Sequence, residues 1–228
     1  SLEETGKTKV VALDKTGTIT RGEPQVTDIV SAEGATAAEL LPKLLEDKIF
    51  YDTSGGGVTL SGGEPLLQAE FCRELLTALH GAGVNTAVDT CLAVPEEKLR
   101  KVIGLADTFL VDVKAYDSDL HRRLCGLPNE RILSNLRLLD ALHQRVEIRI
   151  PFVPGQNAGE IEAIAAFLAT LSCVVGVRVL PYHNLSGTKY ESLDLRYPLE
   201  AENTPIPTAA EAEAARAVLE AHGLRVLR

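Results

Sequence analysis

The stretch GVTLSGGEPLLQAEFCRELLTALHG, residues 57–81, sets the reading of the fold. Gly57–Leu60 is a brief β-branched run held between two glycine clusters, Gly55-Gly56-Gly57 and Gly62-Gly63, and it reads as a strand. From Leu66 to Leu79 the residues Leu67, Phe71, Leu75 and Leu79 recur four apart, which predicts a helix stopped at Gly81. Together they make one βα unit.

The same alternation continues on both sides. Upstream, Lys7–Leu13 and Gln25–Val30 read as strands. Thr36–Phe50 reads as a single helix, with Leu40, Leu41, Leu44, Leu45 and Ile49 at helical spacing. Downstream, strands are predicted at Val84–Asp89, Thr108–Val113, Val146–Val153 and Gly176–Leu180, and a last one at Leu224–Leu227. Helices are predicted at Pro95–Ile103, Ser118–Leu124, Asn129–Leu142, Gly159–Leu171 and Thr208–His222, the last stopped at Gly223. Alternating β and α segments predict an α/β fold, a parallel sheet with outer helices, either open or closed into a barrel.

Composition narrows the function. At 228 residues the chain is long enough for one full-sized domain, or for one domain with a short appendage. A formal charge of −9 argues against a nucleic-acid partner. No apolar run is long enough for a membrane span, and Ser1–Gly6 lacks the character of a signal peptide, so the expected location is cytoplasmic. The absence of methionine, position 1 included, points to a processed, truncated or engineered chain. Cys72, Cys91, Cys125 and Cys173 are too widely spaced for a zinc or iron–sulfur motif and read as free thiols.

In parallel α/β folds the chemistry collects at the carboxyl ends of the strands, where loops converge. Those ends deliver Ser61-Gly62-Gly63-Glu64, then Asp89-Thr90, then Asp112 and Lys114, then Arg149, and last Tyr182-His183. Each taken singly has a bland explanation, an aspartate as a helix cap or a histidine as a structural group. As a set on consecutive strand ends they predict a ligand-binding mouth.

Several stretches carry a resemblance. They are Phe50–Pro65 (FYDTSGGGVTLSGGEP), Asp89-Thr90-Cys91, Asp112-Val113-Lys114, Asn129–Leu133 (NERIL), Arg149–Gly155 (RIPFVPG) and Leu180–Leu185 (LPYHNL). In order and spacing, residues 36–228 resemble the glycyl-radical-enzyme (pyruvate formate-lyase) activating enzymes of the radical S-adenosylmethionine (SAM) family. The resemblance implies a partial (β/α)6 barrel holding SAM, and a glycyl radical enzyme as partner. It places Gly62, Gly63 and Glu64 at the amino group of SAM. Thr90, Lys114, Arg149 and His183 go to its carboxylate, ribose or adenine side, and Asp89 and Asp112 to a monovalent cation.

The family also uses a [4Fe–4S] cluster held by a C-x3-C-x2-C loop. This chain has no such loop, and its first cysteine is Cys72, so the expectation is a scaffold that is inactive as written.

Residues 1–35 resemble something else. Lys7–Pro24, KTKVVALDKTGTITRGEP, is similar to the phosphorylation motif of heavy-metal P-type ATPases, which makes Asp14 a candidate phosphoacceptor. The ATPase segments that bind Mg2+ are absent from the chain. The expected organisation is therefore an ATPase-like strand and loop, 1–35, joined to an activating-enzyme-like partial barrel, 36–228. Strand Val10–Leu13 is expected to cover the free edge beside Val58–Leu60, with Asp14 at the same mouth. Edge pairing into a homodimer is a further expectation. Two other functions stay open, a non-catalytic chimera and a phosphotransferase-like use of Asp14.

Overall fold

The computed structural model describes residues 9–15, 25–31, 34–183 and 204–228, the first two segments by backbone alone. In chain order the strands are β1 (Lys9–Lys15), β2 (Gln25–Ser31), β3 (Gly57–Gly62), β4 (Asn85–Thr90), β5 (Thr108–Asp112), β6 (Val146–Phe152) and β7 (Val174–Pro181). The helices are α1 (Ala37–Leu44), α2 (Lys48–Ser54), α3 (Ala69–Gly81), α4 (Glu96–Arg100), α5 (Ser118–Cys125), α6 (Glu130–Ala141), α7 (Ile161–Leu168) and α8 (Ala209–Ala221). The chain divides into two compact units, Ser1–Val111 with Arg131–Val146, and Asp112–Glu130 with Glu147–Arg228. Among the described residues no helix is long and apolar enough to cross a membrane.

In the first unit the strand order is β2-β1-β3-β4-β5. β3, β4 and β5 are parallel, Leu60 pairing with Val88 and Thr90 with Val111. Alternate residues are buried, Val58 and Leu60 on β3, Thr86, Val88 and Thr90 on β4, Phe109 and Val111 on β5. Gly57 is glycine for a steric reason, because a Cβ there would stand 1.8 Å from the Asn85 carbonyl oxygen. Leu66, Ala69, Cys72, Leu75, Leu76 and Leu79 form the buried stripe from the Pro65–Gln68 turn through α3. That stripe is offset from the predicted one, since Leu67 and Phe71 lie on its flank, half-buried.

The strand Val10–Leu13 does lie beside Val58–Leu60, but antiparallel, with Val11 opposite Leu60 and Leu13 opposite Val58. This corrects the placing of Asp14 at the mouth. Asp14 pairs with Gly57, at the amino end of β3, whereas Ser61 at the carboxyl end faces Val10. At about 3.3 Å per residue the two ends of β3 are about 15 Å apart.

The single helix predicted over Thr36–Phe50 is two. α1 is opened by a capping box, in which Thr36 Oγ1 accepts from Glu39 N–H and Glu39 accepts from Thr36 N–H. It contains Pro42, which removes a backbone donor, and it closes in a turn where Lys48 N–H bonds Leu45 O. The restart rotates the apolar face. Tyr51 is buried, while Ile49, expected inside, is 71% exposed.

In the second unit β6 and β7 are neighbours, and Tyr182 N–H, just past β7, bonds Phe152 O at the end of β6. Along β6 the buried alternates include Ile148, Ile150 and Phe152. α8 starts at a capping box of Thr208 and Glu211 and packs on α7 and β7. The last predicted strand, Leu224–Leu227, is a single parallel bridge of Val226 to Val177.

Candidate functional site

Each unit carries a polar cluster where its strands end. In the first, β3 runs into Gly62, whose φ of +143° is open to glycine and strained for residues with a Cβ. Glu64 follows in extended conformation and caps the Pro65–Gln68 turn, accepting Leu66 N–H at 3.0 Å. The residue is only 5% exposed. The Thr90 hydroxyl lies 2.8 and 2.9 Å from its two oxygens, and Cys91 reaches Oε2 through N–H at 2.9 Å and through Sγ at 3.1 Å. A buried carboxylate is tolerable because fixed donors replace water, and here neutral donors surround it.

Ser61 and Asp89 lie on the alternate, less buried positions of β3 and β4, where the Ser61 hydroxyl donates to Asp89 Oδ2 at 3.1 Å. The predicted residues of this unit thus fall on two faces, Glu64 with Thr90 on the packed side and Ser61 with Asp89 on the other. The loop after β4 is fixed as well. Leu92 N–H bonds Thr90 Oγ1, and the Asn135 side chain of α6 donates to the carbonyls of Leu92 and Val94, both at 2.9 Å. Leu92 adopts φ +57°, an uncommon conformation for leucine that these bonds over-determine.

In the second unit Asp112, Lys114 and Arg149 come together. Asp112 Oδ1 accepts from Arg149 Nε at 2.9 Å and lies 2.8 Å from its Nη2, while Lys114 Nζ stands 3.7 Å from Oδ2. The Cys125 thiol belongs to the same surroundings. Burial pushes its pKa up, Lys114 opposes that and Asp112 adds to it. His183 lies just past β7 and is exposed.

Three asparagines escape sequence reasoning. Asn129, Asn135 and Asn157 are buried, and each holds main-chain groups of a strand-end loop. Asn135 had a signal, a polar residue inside the apolar stripe of α6. Asn129 sits within a stretch already singled out, although nothing there marks it as a loop holder.

The described residues include all four cysteines, none in a disulfide, two buried and two half-buried. Among those residues no group of three or more His, Cys, Asp or Glu side chains converges as a metal site. This thiol set does not fit a [4Fe–4S] cluster, which needs clustered thiolates.

Comparison with known proteins gives one consistent answer. The family described as "Radical SAM superfamily" matches residues 33–168. The choline trimethylamine-lyase activating enzyme of Oleidesulfovibrio alaskensis is 42% identical over 176 residues, covering 75% of this chain and 57% of that protein. The chain therefore spans little more than half the length of that relative. The pyruvate formate-lyase-activating enzyme of Staphylococcus aureus is 37% identical over 188 residues, 78% of this chain and 74% of that protein. A crystal structure of a domain of pyruvate-formate lyase-activating enzyme from Bacteroides vulgatus aligns with a TM-score of 0.64 at 32% identity, covering 75% of this chain and 98% of that one. The expected fold class, a partial (β/α) barrel of parallel strands and outer helices, stands.

Proposed function

The chain belongs to the radical SAM superfamily, and we propose that within it this polypeptide is the SAM-holding part of a glycyl-radical-enzyme activating enzyme, binding the cofactor without cleaving it. The observation that carries the reading is the second unit's cluster, where Asp112 gathers two cations, Lys114 and Arg149, at the strand ends. SAM presents a carboxylate that such a pair of cations suits.

In this reading Glu64 and Thr90 act chiefly by fixing the Gly62-Gly63 loop, because donors within the chain already engage the Glu64 carboxylate. Lys114 and Arg149 neutralise the carboxylate side, His183 serves the ribose or adenine side, and Asp89 and Asp112 are the candidate cation ligands. Asp112 would then divide its charge between a cation and the two basic side chains.

When bound beside a reduced cluster, SAM supplies the radical chemistry of this family. Since the cysteines here do not fit a cluster, no step is assigned to it, and the polypeptide is proposed to be silent. The partner class is a glycyl radical enzyme, in keeping with the relatives' names, and the location is the cytoplasm. Residues 1–35 are proposed as an ATPase-like segment without a part in the site.

Titration calorimetry of the purified 228-residue chain with SAM tests the proposal. The expected result is saturable one-to-one binding that is lost in the Lys114→Ala/Arg149→Ala double variant. No binding, or binding indifferent to those changes, overturns it. Anaerobic treatment with iron and sulfide should leave the chain colourless and without 5′-deoxyadenosine formation under dithionite. Stable cluster uptake would overturn the silent part of the reading.

A further inference from the structure

After β5 the main chain of residues 114–117 leaves the sheet, and its polar groups need partners elsewhere. Side chains supply them. Asn129 Nδ2 donates to the carbonyls of Ala115 and Tyr116 at 2.9 and 2.8 Å. Glu160, preceding α7, accepts the N–H groups of Tyr116 and Asp117 at 2.9 and 2.7 Å. Asn157 Nδ2 donates to the Lys114 carbonyl at 2.8 Å and to Pro151 O at 2.6 Å, while its Oδ1 accepts Val153 N–H at 2.8 Å.

Asn129 and Asn157 are 2% and 3% exposed, so these bonds form away from competing water. Asn157 is the only one of the three that grips both sides, the end of β5 at Lys114 and the end of β6 at Pro151 and Val153. An amide is required there, since one group must donate twice and accept once, which a carboxylate cannot do. The outcome is that Lys114, just past β5, and Arg149, on β6, are both held against Asp112.

We propose that Asn157, with Asn129 and Glu160, is a positioning element for Lys114, setting the ammonium where the cofactor's carboxylate side is received. The proposal deepens the SAM-binding reading and rests on it. Its consequence is specific, because Asn157 acts through Lys114 and matters to binding only while Lys114 is present.

A double-mutant cycle on the full chain reads this directly. SAM affinity is measured for the parent, Asn157→Asp, Lys114→Ala and the double variant. Asn157→Asp should weaken binding about tenfold. In the Lys114→Ala background it should weaken binding no further. Losses that multiply, or an Asn157→Asp variant that binds like the parent, overturn the proposal. If circular dichroism shows Asn157→Asp unfolded, Glu160→Ala and Asn129→Ala go through the same cycle under the same two criteria. If the parent itself does not bind SAM, the functional reading fails separately. The positioning claim is then decided by NMR of 13C-dimethylated lysines, with Lys114 assigned from Lys114→Arg. Its resonance should move to the free-lysine position in Asn157→Asp, and an unmoved resonance overturns the claim.

Discussion

Glu64 in the first unit and Asp112 in the second are carboxylates at the ends of strands, and the protein solvates them in opposite ways. Glu64 is 5% exposed and receives neutral donors, two backbone amides, a hydroxyl and a thiol. The side chain of Asp112 is 25% exposed and is met by two cations, Arg149 closely and Lys114 at longer range. The first arrangement removes water and fixes geometry, so opening it leaves buried donors unsatisfied. The second keeps water at hand, so its charges can be exchanged for those of a ligand at small net cost. One carboxylate shapes its loop and the other trades charge.

The sharpest contrast is in thiol chemistry. Cys72, near Glu64, is pushed up to about 12 from an ordinary value of 9.0, chiefly by burial and further by the Glu64 charge. Near neutral pH its thiolate fraction is then about a thousandfold below that of a free thiol. Timed alkylation with mass mapping should find Cys72 slower than a free thiol by about that factor, and slower than half-buried Cys125 of the second unit. Equal rates at the two sites would break the picture of a dry first cluster. The sign of the linkage follows from the raised value. Stability from this group is full below pH 9.0 and is lost as pH rises towards about 12, because the unfolded thiol ionises first. Denaturant titrations across that range, with Cys72→Ala as reference, should show the steeper slope in the parent.

Next in size is Glu64→Ala. It strands the amides of Leu66 and Cys91 and the Thr90 hydroxyl, and should destabilise the chain by ~3 kcal/mol in urea titration. Asp112→Asn should lose only ~1 kcal/mol, and that loss should shrink in high salt because the pair is part-exposed. If the two variants cost the same, the distinction between shaping and trading carboxylates is wrong.

The smallest effect belongs to Glu70, on the α3 surface, held at about 2 by hydrogen bonds from Arg73 and Lys101. Its depressed value means that its contribution is present above pH 4.5 and disappears as pH falls towards 2. Glu70→Gln should flatten the acid limb of the stability profile slightly.

The strands that carry the candidate residues were legible because period-two burial and bounding glycines are local signals. Val58, Leu60, Val88 and Phe109 all fall where alternation puts them inside. The strand-end residues were legible for the same reason, since a strand's end names the loop after it. The Ile49 side of α2 was not, because one proline and a three-residue turn reset a helical phase that spacing alone carries through. Nor was the direction of β1, because hydropathy has period two in either sense and says nothing about polarity. The split of Glu64 and Asp89 between two faces could have been read from parity along β4, where Thr90 and Asp89 are neighbours and so point opposite ways. Asn157 gave no signal, because its worth depends on bonds to two strand ends distant in sequence.

The reversal of β1 has a consequence for the margin of the sheet. β1 runs against β3, and β2 runs against β1, so β2 points the same way as β3. Two inversions restore the original sense. The hairpin therefore hands outward an edge of unchanged polarity, shifted by two strand spacings, about 10 Å. A parallel cover for β3 would have needed a crossover of a dozen residues or more, whereas a hairpin seats itself by main-chain bonding alone. It relocates the border of the sheet and leaves its direction intact.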